Sequence, residues 1–301
     1  MASREADALR AAIAEAAAKA RSSGDRFDVG AQRAAAHSSP WPIPDDCSTR
    51  ALRADAVPCH WIRAAGSDPD RRILYLHGGG WVAGGFASHG SHAARISAAT
   101  GCAVLFPEFR LAPEHPFPAA LDDALAAWRR MQEEGIEGRR PARASFVGGD
   151  SGGGGLALAL LLALRDLGEP LPAAAFTFSA VTDLTCSGES MRTRAASDIV
   201  INPKIVPEAA TLYLGGADPR SPLVSPVFGD PSGLPPLLLQ VGDAEVMLSD
   251  STRVAERARR AGVDVTLEVW PEMFHSFPLW APLLPEGREA LEHVGRFLRE
   301  R

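Results

Sequence analysis

The chain has 301 residues, 46% of them hydrophobic and 23% charged, with a formal net charge of −6. That composition supports a large globular core, and the acidic balance leaves no basic face for nucleic acid or anionic lipid. Cys47, Cys59, Cys102 and Cys186 are scattered, without C-x-x-C pairs or metal-ligand spacing, so free thiols in a reducing compartment are expected.

In chain order, Met1 to Asp7 lacks the basic-then-apolar pattern of a signal peptide. No apolar run approaches the roughly 18 residues of a membrane span, and a cytoplasmic chain is expected. Residues 4 to about 22 are alanine-rich and predict a helix ended near Ser22-Ser23-Gly24. From about 36 to 50, Ser38-Ser39-Pro40-Trp41-Pro42-Ile43-Pro44 reads as a rigid, non-helical connector. Residues 1–50 therefore fit a helical layer apart from the sheet. Val57 to Arg63 is strand-like, Gly66 to Asp70 a turn, and Arg72 to Leu76 an apolar strand running into His77-Gly78-Gly79-Gly80-Trp81.

Thereafter helices alternate with strands. Helices are expected near 89–100, 118–134, 153–167, 249–261 and 287–299, and strands near 103–106, 144–147, 173–178, 237–241 and 265–269. The alternation breaks between about 185 and 215, where short helical pieces read as an insertion. Fully apolar strands separated by helices imply an α/β fold: a mostly parallel sheet with helices on both faces.

The stretch that carries chemistry is Gly149-Asp150-Ser151-Gly152-Gly153, set between an apolar strand and an apolar helix. The G-x-S-x-G spacing suits a turn so sharp that the serine is held in a strained backbone conformation, exposed above the amino end of the helix. A serine hydroxyl needs a base, and the base an acid that fixes its tautomer. His275 lies just past the strand ending at Trp270, at the carboxyl edge where Ser151 should stand. Asp243, Glu245 and Asp250 all follow the preceding strand and are candidate acids. The amides of His77-Gly78-Gly79-Gly80, joined by that of Gly152, can approach a carbonyl oxygen closely as it becomes an oxyanion. His89, His92, His115 and His293 read as structural, and Asp150 as a hydrogen-bonding brace.

With His77-Gly78-Gly79-Gly80-Trp81, Arg110-Leu111-Ala112-Pro113-Glu114-His115-Pro116-Phe117-Pro118-Ala119, Gly149-Asp150-Ser151-Gly152-Gly153 and His275-Ser276-Phe277 in this order, the chain resembles the bacterial hormone-sensitive-lipase family of esterases from about 57 to 301. The resemblance implies an α/β-hydrolase fold with a helical cap. Residues 1–50 would form the amino-terminal part of that cap, and 51–301 the catalytic domain with a cap insertion at about 187–213. It implies an oxyanion hole of Gly79, Gly80 and Gly152, with His77 and Glu114 as structural supports. Laying the family's acidic motif on Val241 to Asp250 puts the triad acid at Glu245, 30 residues before His275. Glutamate there resembles a known variant, and Phe109 stands where the family more often has tyrosine.

The implied activity is hydrolysis of short- to medium-chain carboxylic esters through Ser151, His275 and Glu245, with no cofactor or metal and a small-molecule ester as partner. Lactone hydrolysis or small-amide deacetylation by the same triad is the alternative. A binding protein of the same fold would lack the histidine that this chain retains. The resemblance further implies a homodimer through the edge strand near 265–269.

Overall fold

The continuous apolar runs become interior strands of one sheet, because a strand covered on both faces presents no polar side. The computed structural model describes residues 2–21 and 27–301. Its elements are α1 (Arg4–Arg21), α2 (Val29–Ala35), β1 (Cys47–Ala54), β2 (Val57–Ala64), β3 (Asp68–Leu76), α3 (Phe86–Thr100), β4 (Cys102–Pro107) and α4 (Ala119–Glu133). There follow a two-residue ribbon of β5 (Glu134–Gly135) and β6 (Gly138–Arg139), then β7 (Ala144–Asp150), α5 (Ser151–Asp166), β8 (Ala174–Phe178), α6 (Ser190–Thr193), α7 (Val206–Leu214), β9 (Leu237–Gly242), α8 (Leu248–Arg260), β10 (Val265–Trp270) and α9 (Pro285–Arg299). The expected stop of α1 at Ser22-Ser23-Gly24 lies outside the described residues.

Among the described residues one eight-stranded sheet runs in the order β1-β2-β4-β3-β7-β8-β9-β10. The β1–β2 and β2–β4 pairs are antiparallel and all later neighbours parallel, which is the mostly parallel α/β architecture expected. Alternate residues of β3 show why the run is apolar throughout. Leu74 and Leu76 belong to the core shared with α4, α5 and α8 on one face, and Ile73 and Tyr75 to the core shared with α3 and α9 on the other. Helix α5 is buried continuously from Gly152 to Leu164, so it has no polar face either.

Three elements depart from the sequence reading at the amino-terminal side. β1 begins at Cys47, so the last four residues of the stretch 1–50 lie in the sheet rather than in a connector. It is an edge strand whose exposed positions alternate with shielded ones, and its arginines and serine hide the strand pattern. α2 has no buried residue, and so no apolar stripe announces it. β3 also starts at Asp68, inside the expected turn, with irregular pairing between Asp68 and Arg72.

The parallel registers bring the carboxyl ends of four strands to one edge. Asp150 pairs with Phe178, Phe178 with Gln240, and Trp270 with Gly242. The loops leaving β7, β9 and β10 therefore meet above the sheet.

Candidate active site

Ser151 follows the last residue of β7 directly and opens α5 with a φ of 52°, a conformation that costs a non-glycine residue of order 1–3 kcal/mol. The flanking glycines are required by close approach. A Cβ on Gly149 would lie 2.4 Å from the carbonyl oxygen of Gly153. One on Gly153 would lie 2.1 Å from that of Leu76 and 2.4 Å from that of His77. The serine is thus lifted onto the tip of a turn that no larger residue could close.

The structure brings Ser151, His275 and Glu245 together. His275 Nδ1 lies 2.8 Å from Glu245 Oε2, and its Nε2 lies 2.8 Å from Ser151 Oγ. A carboxylate only accepts, so Nδ1–H donates to Glu245, and in the neutral ring Nε2 accepts from the serine hydroxyl. That is the tautomer a general base requires. Burial alone would lower the His275 pKa, but the hydrogen bond and charge of Glu245, helped by Asp198 and Asp150, outweigh it and leave the pKa raised above 6.5.

Glu245 is fully buried and held at its other oxygen, where Oε1 accepts from Ser179 Oγ–H and from the Gly242 amide, each at 2.7 Å. Ser179 also accepts from the Ser276 amide at 2.9 Å, so one hydroxyl ties the acid to the residue after His275. Nothing in the sequence around Ser179 marks it, since its role comes from three loops meeting at one sheet edge.

The other two candidate carboxylates point elsewhere. Asp243 accepts from the Glu272 amide at 2.7 Å, fastening the loop after β9 to the loop after β10. Asp250 accepts from the amides of Thr182 and Asp183 at 2.6 and 2.9 Å. It holds the chain beyond β8 rather than capping its own helix. Asp183 in turn accepts from Thr185, Ser187 and Arg253, bracing that loop against α8.

Gly79 and Gly80 line the cavity beside Ser151, with φ of 110° and 61°. Gly79 closes a tight turn by accepting from the amides of Val82 and Ala83, and a Cβ there would strike the Ala83 carbonyl oxygen at 2.2 Å. The Gly78 amide is engaged at 3.0 Å by Asp150, which also accepts from Tyr75 O–H at 2.7 Å. Gly152 lies against Gly80, where a Cβ on it would sit 3.3 Å from the Gly80 nitrogen. His77 is pinned below the loop. Its Nδ1–H donates to the Gly78 carbonyl at 2.7 Å and its ring stacks on Phe109 at 4.2 Å. Burial above all lowers its pKa to about 3, so the ring is neutral. Phe109 thus supplies a stacking face to His77 at the position where the family more often has tyrosine.

A cavity of about 290 Å³ opens onto Ser151 and His275. Its walls include Trp81, Val206, Ala210 and Met247, together with Phe27 and Gln32 from the amino-terminal segment, which sequence reasoning did not find. Trp81 stacks on Tyr213 of α7 at 4.3 Å, whereas Phe277 packs in the core with Met273 and Phe274. Arg33 of α2 forms a two-pronged pair with Glu114 at 2.6 and 2.8 Å and donates to the carbonyls of Val82 and Ala112. Glu114 is therefore the anchor for α2. Among the described residues no group of three or more His, Cys, Asp or Glu is placed to hold a metal ion, and no helix is long and apolar enough to cross a membrane.

Comparison with known proteins bears on the fold and the family. Residues 73–279 match a family model described as "alpha/beta hydrolase fold". A Streptomyces hygroscopicus protein named acetyl-hydrolase is 48% identical over 239 residues, covering 79% of this chain and 78% of the relative. A crystal structure of an esterase from the bacterial hormone-sensitive lipase family is 42% identical with a TM-score of 0.89, covering 100% of this chain and 99% of that one. EstE5, solved after soaking with p-nitrophenyl butyrate, is 39% identical with a TM-score of 0.92 over 99% of each chain. The chain belongs to the bacterial hormone-sensitive-lipase family of α/β-hydrolases.

Proposed function

We propose that the protein is a serine carboxylesterase that hydrolyses short- to medium-chain carboxylic esters through a covalent acyl-enzyme. The observation that carries this reading is the unbroken relay from Ser151 Oγ to His275 to Glu245 at the floor of the cavity.

Ser151 attacks the ester carbonyl carbon while His275 Nε2 takes its proton. The tetrahedral oxyanion is met by the amides of Gly79, Gly80 and Gly152, each such donor worth about 3 kcal/mol in the transition state. Glu245 holds the imidazolium, which returns the proton to the departing alcohol. Water, deprotonated by the same ring, then attacks the acyl-serine, and the carboxylic acid leaves as Ser151 regains its proton.

A cavity of about 290 Å³ walled by Val181, Leu184, Val206 and Met247 suits a compact apolar acyl chain. The residues at 27–32 and 200–210 that wall it support a cap assembled from the amino-terminal segment and the insertion at 187–213. The unpaired edge of β10, where Val269 is exposed, is the surface assigned to a homodimer, and light scattering tests it. The test of function is a panel of p-nitrophenyl esters of graded acyl length, with lactones and small amides beside them. Wild-type protein is expected to prefer acetate to hexanoate esters, and Ser151→Ala to abolish turnover while circular dichroism stays native. Undiminished turnover by Ser151→Ala refutes the mechanism.

A further inference from the structure

We propose that Asp198, together with Ser197 and Ser190, is a positioning device for the triad acid, gripping the backbone on both sides of Glu245 from the insertion; this rests on the esterase reading above. Glu245 stands in an irregular turn between β9 and α8, so neither a strand nor a helix fixes its peptide units. The loop after β10 takes the Asp243 and Ala244 amides, which donate to the Trp270 and Met273 carbonyls at 3.0 and 3.2 Å, and the inserted segment grips the Ala244 carbonyl and the Val246 peptide. The Ser197 Oγ–H is shared between the Ala244 carbonyl at 2.9 Å, the nearer acceptor, and the Arg194 carbonyl at 3.1 Å, and Asp198 Oδ2 accepts from the Val246 amide at 2.8 Å. Ser190 Oγ–H donates to the Val246 carbonyl and accepts from the Ser249 amide, while Ser249 Oγ accepts from the Ser190 amide. The residues before and after the acid are thus both held, and Ser190 and Asp198 are themselves buried.

The second oxygen of Asp198 makes the grip more than a staple. Oδ1 accepts from the amides of Val200 and Ile201 at 2.9 and 2.8 Å, and both of those residues wall the substrate cavity. One buried carboxylate therefore joins the pocket wall to the acid turn. A glutamate has one more rotatable bond than an aspartate, so the placement of its carboxylate against His275 depends more on a fixed backbone. Displacements of about 1 Å in such a relay lower turnover by about a hundredfold. Asp198 also acts through its charge. The carboxylates that favour the protonated ring of His275 are Glu245 in the acid turn, Asp198 in the insertion and Asp150 at the end of β7.

The test compares Asp198→Asn and Ser197→Ala with wild type, using p-nitrophenyl butyrate across pH. In Asp198→Asn the carbonyl can still serve Val200 and Ile201, but an NH₂ group then faces the Val246 amide and the charge is gone. The expected result is a kcat lowered about tenfold or more with KM little changed, and an acid limb moved to lower pH. Ser197→Ala keeps the charge and is expected to lower kcat without moving the acid limb. Should Asp198→Asn fail to fold, Ser197→Ala and Ser190→Ala decide by kcat alone. A role confined to holding the insertion in place would raise KM and lower the melting temperature, with kcat and acid limb unmoved, and that outcome overturns the proposal. Fluorophosphonate labelling of wild type separates the two levels. A wild type that neither labels nor hydrolyses removes the esterase reading and this inference with it. An active wild type with variants of equal kcat removes the inference alone.

Discussion

Replacing Glu245 by glutamine is the perturbation whose consequence the hydrogen bonds specify most closely. Oε1 of Glu245 accepts from two donors, the Ser179 hydroxyl and the Gly242 amide, and Oε2 accepts from His275 Nδ1–H. Glutamine has one accepting atom, and the two donors at the Oε1 position draw the carbonyl there. The NH₂ group then faces Nδ1, which must accept, so the neutral ring carries its proton on Nε2 toward Ser151 and cannot act as a base. Turning the amide over restores the tautomer but strands two buried donors at about 1–3 kcal/mol each, about 2–6 kcal/mol in all. The competent arrangement is then populated at about 3% or less, and the loss of the negative charge beside the imidazolium lowers the rate further. The kcat of Glu245→Gln should fall at least about thirtyfold and as far as about ten-thousandfold, the loss typical of a wrong triad tautomer. The assay is steady-state hydrolysis of p-nitrophenyl butyrate, with circular dichroism to verify the fold and Asp243→Asn as control. In the control the new carbonyl still accepts from the Glu272 amide, so turnover is expected to stay close to wild type. A wild-type rate for Glu245→Gln, or an equal loss in Asp243→Asn, would refute the reasoning.

The remaining predictions concern the base, the turn and the anchor of α2. Because His275 must be neutral to accept the serine proton and its pKa is raised above 6.5, kcat/KM should rise with pH through a midpoint above 6.5; a lower midpoint contradicts the dominance of Glu245 over burial. Gly153→Ala forces a Cβ to 2.1 Å from the Leu76 carbonyl oxygen and should destabilise by about 3 kcal/mol or more in urea unfolding. Gly152→Ala meets Gly80 at 3.3 Å and should fold normally, with hydrolysis within about tenfold of wild type. Arg33→Ala removes the bonds to Glu114, Val82 and Ala112 that hold a helix with no buried residue. Its KM should rise while the melting temperature barely moves, since exposed ion pairs add little global stability.

The parts of the fold legible in the sequence were those whose side chains answer to one physical demand. Strands covered on both faces are apolar throughout, as Ile73 to Leu76 are, and a turn that admits no Cβ demands glycine at 149 and 153. β1 was not legible because it is an edge strand whose arginines and serine interrupt the apolar pattern, and α2 because its anchor, Glu114, is distant in sequence. The same holds at the site. Ser151 and His275 carry local signatures, whereas three carboxylates within eight positions cannot be ranked by spacing alone. Their separation is a matter of direction: Glu245 reaches His275, Asp243 reaches Glu272 and Asp250 reaches Thr182. Ser179, Asp198 and Phe27 carry no local signal at all, since each acts where separate loops converge.

The most direct measurement is peptide mass spectrometry of the protein quenched during turnover of p-nitrophenyl acetate, in wild type and in His275→Ala. An acetyl group on the peptide bearing Ser151 in the wild type, appearing far more slowly in His275→Ala, is the expected result. Rapid hydrolysis with Ser151 never acylated, or acylation that proceeds equally fast without His275, would contradict a covalent route through that serine.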